Sequence, residues 1–140
     1  MPADEELFYE LMYYTLAHPD PAFIHQNVVD AYAAQTADEQ TKDITIVFAL
    51  IGLYLSVEKN LTGRQVQKAH MQLAKGPRKH WFRPQLPSER GSIVISDVLA
   101  AAAGAQRDAM IREWCASVWR AYKDARPQIA EMAKNELGIG

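Results

Sequence analysis

Cysteine occurs once, at Cys115, so the chain forms no internal disulfide and has no Cys-x-x-Cys pair for thiolate zinc or dithiol redox chemistry. Long apolar runs are missing too. The longest ends at Glu58, covers about fifteen residues and is marked by tyrosine and serine, too short for a membrane span. The opening Met1-Pro-Ala-Asp-Glu-Glu6 is acidic where a secretory or mitochondrial leader is basic. No charge of one sign dominates: 15 basic residues face 17 acidic ones, for a formal net charge of -2. Without a lysine or arginine stripe, a nucleic-acid partner is not expected. The expectation is a protein of the cytoplasm with neither membrane nor nucleic acid as partner.

Familiar catalytic motifs are equally absent. There is no GxGxxG or Walker loop, no GxSxG elbow, no HExxH, and no Glu-x-x-His pair of the di-iron kind. What remains is a chain of 140 residues, 49% hydrophobic and 23% charged, long enough to bury a core as one domain spanning 1–140.

Its periodicity is helical throughout. Asp4 to about Ala17 predicts a first helix, with Asp4, Glu5 and Glu6 at its positive end and Pro19 and Pro21 beyond it. A second runs from Phe23 to Gln35. The third, from Ile44 to Leu61, is apolar on nearly every side and must be wrapped by others; its small residues Thr45, Ala49, Gly52 and Ser56 form a stripe suited to close helix packing. Thr62-Gly-Arg-Gln65 is a capping-box pattern opening a fourth helix that stops near Gly76 and Pro77.

Residues 77–92 carry three prolines around Trp81 and Phe82 and predict an ordered loop. Ser92-Ile-Val-Ile-Ser96 leads into a helix capped by Ser96 or Asp97 and running to Gly104. From Ile111 to Met132 the apolar residues recur at helical spacing, with Pro127 either starting a new helix or kinking the first. The fold class is therefore all-α, a compact orthogonal or up-down bundle of five to six helices. Trp119, off the main apolar stripe, is expected to be exposed and to offer a contact for a homo-oligomer.

Several residue types in these helices can carry chemistry. His25, Tyr32 and Gln35 share the face of the second helix that holds Val28 and Val29, whereas Asp30 points about 140° away from His25. His70 lies at the centre of the inward stripe of the fourth helix, where its ring nitrogens need partners. Glu58 lies on the side of Val47, Ile51 and Tyr54, and a carboxylate there favours a histidine or arginine partner. Cys115, within an apolar stripe, is structural. Arg78, Lys79, His80, Arg83 and Arg90 surround Trp81 and Phe82 as a basic patch.

Three readings stand side by side. The first is a small helical interaction or regulatory protein, homo-oligomeric, whose polar core groups serve architecture. The second is a metal-dependent hydrolase or transferase, with His25 and His70 holding a divalent ion, Glu58 or Asp30 as ligand, and an open position activating water. Without metal, His70 would act as base with Glu58 orienting it. The third is a binder of small anions through Arg83, Arg90 and Trp81.

The order of several segments resembles the DUF5946 family. They are His25-Gln-Asn-Val-Val-Asp-Ala-Tyr-Ala-Ala-Gln35, Leu50-Ile-Gly-Leu-Tyr-Leu-Ser-Val-Glu58, Trp81-Phe-Arg-Pro-Gln-Leu-Pro87, Gly91-Ser-Ile-Val-Ile-Ser-Asp-Val-Leu99 and Arg112-Glu-Trp-Cys-Ala-Ser-Val-Trp119. The resemblance implies the helical layout and no assigned activity. The family pattern has a histidine where this chain has Thr36, a cysteine-bearing N-terminal lead, and a histidine near Ala125 and Arg126. This chain lacks all three, so any metal site that relatives build from them would be incomplete here.

Overall fold

A computed structural model describes residues 2–17, 22–77 and 80–139. Pro19, Pro21, Arg78 and Lys79 lie outside the described residues. Seven helices follow in order: α1 (Pro2–Ala17), α2 (His25–Thr36), α3 (Asp43–Val57), α4 (Gly63–Lys75), α5 (Ile95–Ala100), α6 (Ala105–Ala121) and α7 (Arg126–Leu137). No strand occurs among the described residues. The all-α class is as expected, but the count exceeds five to six. Tyr122 to Ala125 form a turn that splits the last apolar run, and Pro127 stands in the first turn of α7, where a missing N–H costs nothing.

Helix α3 is buried without interruption from Ile46 to Leu55 except for Phe48, which is half-buried. That follows from its composition: a helix apolar all round has no face to give to water. α2, α4, α6 and α7 wrap it. α2 is the second hub, touching α1, α3, α4 and α6, and α5 bridges α1 and α6. Buried side chains from all seven helices join one core cluster.

Local rules fix several boundaries. The Thr62 hydroxyl accepts from the Gln65 N–H at 3.2 Å and the Gln65 side chain accepts from the Thr62 N–H at 2.8 Å, closing the expected capping box of α4. α5 starts at Ile95, earlier than Ser96 or Asp97, because the Asp97 carboxylate accepts from the Val94 N–H at 2.9 Å. It ends at Ala100, short of Gly104, whose φ of 101° breaks the helix and caps α6. Trp119 is a further correction: only 1% exposed, it is a core residue and not a surface contact. α6 packs against α2, α3 and α5, so its buried arc is wider than one stripe.

Loop 80–94 is held by its rings and arginines. Trp81 packs edge-on against Phe48 with centroids 5.2 Å apart, and Pro84 is buried. Arg83 donates to the carbonyls of Asp38 and Thr41 at 3.1 and 2.5 Å and pairs with Asp43 at 3.2 Å. Arg90 donates to Pro87 O at 2.9 Å, Gln35 O at 3.3 Å, and Ala37 O. The loop is thereby stitched to the α2–α3 link.

Candidate functional site

The polar residues of α2 make a seam through the interior, and the hydrogen bonds give each histidine its partners. Thr15 Oγ1 donates to Met12 O at 2.9 Å and lies 2.9 Å from His25 Nδ1. Thr15 thus links the α1 backbone to the His25 ring. On α4, His70 Nε2 donates to Phe48 O at 2.8 Å, which leaves Nδ1 to accept from the Gln26 amide at 3.4 Å. The second amide proton of Gln26 goes to Asp30 Oδ1 at 3.2 Å. Gln26 thus couples His70 to Asp30. Burial lowers the pKa of both His25 and His70, favouring neutral rings.

Asp30 is the outlier of the seam. The sequence places it away from His25, and the structure buries it at 4% exposure with Oδ2 lacking any partner. Burial raises its pKa well above the carboxylate range, and the Gln26 hydrogen bond lowers it only in part. α3 comes this close because Gly52 has no side chain. The close packing expected at Gly52 is present, and what it admits is a carboxyl group.

The other chemistry-bearing residues engage separate partners. Glu58 accepts from Trp119 Nε1 at 2.5 Å, not from a histidine or arginine. His25 is tied to α1, His70 to the α3 backbone, and only His70 and Asp30 are joined, through Gln26. Among the described residues no three histidine, cysteine, aspartate or glutamate side chains gather as a metal-ion cluster. Tyr32 stacks on Phe8 with centroids 4.0 Å apart. Gln35 donates to Arg90 O and Ile93 O at 3.2 and 2.8 Å and accepts from Trp114 Nε1 at 3.0 Å. Arg83 and Arg90 hold backbone carbonyls, and Trp81 sits against Phe48. These groups brace the scaffold.

Sequence reasoning missed Gln26. Its signal was the four-residue spacing to Asp30, which puts both on one side of α2. It also missed an outward-facing stripe on α1. Tyr9, Tyr13 and Leu16 are 61%, 76% and 62% exposed, and their spacing of four and three places them in one row. The remaining exposed large apolar residues among the described ones, Ile44, Met71 and Val94, lie apart, on α3, on α4 and just before α5. The inner side of α1 is firmly docked: Leu11 is fully buried, and Tyr14 Oη accepts from the Gly104 N–H at 2.8 Å and donates to Asp108 at 3.0 Å. The stripe is therefore displayed by a fixed helix.

Compared with known proteins, residues 4–123 match the family model DUF5946, described as a family of unknown function. No curated protein and no solved structure matches the chain.

Proposed function

The chain belongs to DUF5946, a family of unknown function, so its role must come from its own residues: we propose that it is a helical interaction domain that pairs with a second copy of itself through α1. The observation that carries this reading is the row Tyr9, Tyr13 and Leu16, apolar and exposed on a helix whose other side is locked into the core. Contiguous exposed apolar groups on a rigid helix mark a contact surface.

Charge selects the arrangement. Glu5, Glu6 and Glu10 crowd the first half of α1. Two parallel helices would set these acids side by side, whereas an antiparallel pair centred on Tyr13 separates them to opposite ends. A helix of 16 residues is about 24 Å long, and one face of it lies at the small end of specific interfaces. The pairing is accordingly reversible and concentration-dependent.

Sedimentation velocity over a range from low to several hundred micromolar tests this. The wild type shifts from monomer to dimer, and Tyr13→Lys remains monomeric with unchanged helical circular dichroism. Met71→Lys, on α4, dimerises like the wild type. A wild type that stays monomeric throughout, or dimerisation untouched by Tyr13→Lys, overturns the reading.

A further inference from the structure

A cleft of about 300 Å³ opens between the segment entering α2, the α3–α4 turn and the middle of α6. Ile24, Val57 and Leu61 form its apolar wall, and Asn27 and Arg112 bring polar groups to it. Among the described residues no acidic side chain lines it. Neither of these two polar side chains donates a hydrogen bond among the described residues. Asn27 lines the cleft with a buried Oδ1 that has no partner and an amide NH2 that makes no hydrogen bond among the described residues. Arg112 is exposed and makes no hydrogen bond or ion pair among the described residues. That contrasts with Arg83 and Arg90, whose guanidinium groups are occupied by carbonyls.

The backbone around this cleft is held in unusual geometry. Phe23 and Asn60, with φ of 60° and 56°, are the two non-glycine residues with positive φ among the described residues; Asn60 lines the cleft and Phe23 stands between the lining residues Ala22 and Ile24. A bulky side chain rarely adopts that region, and such strain persists only where the surroundings enforce it. Here the enforcement is visible. The Arg64 N–H donates to Ala22 O at 3.0 Å, and a Cβ at Gly63 would lie 1.8 Å from Phe23 O. Only glycine at 63 lets the two segments meet and form the wall.

We propose that this cleft binds a small organic anion, a carboxylate or phosphate ester with an apolar body, its charged end held by Arg112 and the Asn27 amide. The donors at one side select an anionic acceptor, and Arg112 matches the planar fork of a carboxylate or two oxygens of a phosphate. The wall of Ile24, Val57 and Leu61 suits hydrocarbon. The volume, at the lower end for small-molecule sites, takes a ligand of roughly ten to fifteen non-hydrogen atoms.

The test is a titration of ¹⁵N-labelled protein with phenylacetate, phenyl phosphate and neutral benzyl alcohol, following the amides of residues 22–27, 56–63 and 112–116. One or both anions give saturable shifts confined to these segments, and the tighter of the two identifies the preferred anionic group. Arg112→Ala, which removes no hydrogen bond or ion pair among the described residues, weakens binding about tenfold or more, while Arg120→Ala, on an exposed part of α6 outside the cleft, leaves it unchanged. The proposal is overturned if neither anion saturates, if benzyl alcohol binds as well as the anions, or if Arg112→Ala binds like the wild type.

Discussion

The carboxyl of Asp30 occupies the space a side chain at Gly52 would need: a Cβ there would lie 1.9 Å from Oδ2 and 2.5 Å from Cγ. The two helices meet at a buried acid and a missing side chain. Gly52→Ala must therefore displace Asp30 or part α2 from α3, at a cost of about 1–3 kcal/mol. Asp30→Ala vacates that space, so the same glycine substitution costs at least about 1 kcal/mol less in its background. Urea unfolding of the four proteins in the cycle measures the difference, and equal costs in both backgrounds would show that the clash is not with Asp30.

Asp30 also sets a pH dependence. An unfolded chain releases this proton near 3.8, while burial makes the folded chain hold it to higher pH. The folded state then binds more protons, and stability falls as pH rises above 3.8. His25 and His70 act in the opposite direction. Their unfolded rings take up protons near 6.5 and the buried rings resist, so stability falls as pH drops below 6.5. Asp30→Asn removes only the first effect. It raises stability by roughly 1–3 kcal/mol at about pH 7 and by little at about pH 4. Denaturant midpoints across that range report it; an equal gain at both ends would rule out ionisation as the cause.

Arg90 is a bracket. Arg90→Ala strips donors from Pro87 O, Gln35 O and Ala37 O and costs roughly 2–3 kcal/mol. Arg90→Lys recovers less than half, since a single ammonium cannot span three carbonyls in different directions. Arg83→Ala, on a more exposed clamp, costs about 1 kcal/mol. Thermal unfolding ranks the three, and a harmless Arg90→Ala would contradict the bracket.

Glu58 orients a buried indole. Its Oε2 accepts from Trp119 Nε1 at 2.5 Å while Trp119 is 1% exposed. Glu58→Ala leaves that N–H without its acceptor and costs about 1–2 kcal/mol; Glu58→Gln keeps an acceptor and loses under half as much. Near-ultraviolet circular dichroism of Trp119 changes in the alanine variant and is retained in the glutamine one. Identical spectra and stabilities for both variants would contradict the assignment.

The helical class was legible because it rests on local pattern. The capping box at Thr62 and Gln65 and the all-round apolar α3 announce themselves within a few residues. The destinations of Arg83, Arg90, Gln35 and Glu58 were not legible, because most of their partners are backbone carbonyls and indole N–H groups from distant elements. Sequence spacing carries no record of these. Gln26 escaped notice for a related reason: a neutral amide suggests neither metal nor acid-base chemistry, yet here its two protons join His70 to Asp30. Trp119 was misplaced because a single-stripe reading of α6 does not anticipate contacts with three neighbouring helices.

The latch from Tyr14 to Gly104 and Asp108 closes over sequence separations of 90 and 94 residues. It is not alone: Trp114 reaches back 79 residues to Gln35, and Tyr122 reaches back 88 to Ala34. During synthesis, then, the first two helices emerge long before the helix that fastens them. They can dock on each other and on α3 and α4 early, but the surface that α6 covers stays open until about three quarters of the chain has been made. Contacts this remote also slow the search for the native state relative to a bundle of neighbouring hairpins. A nascent chain ending before α6 is the species in this molecule's life most exposed to aggregation.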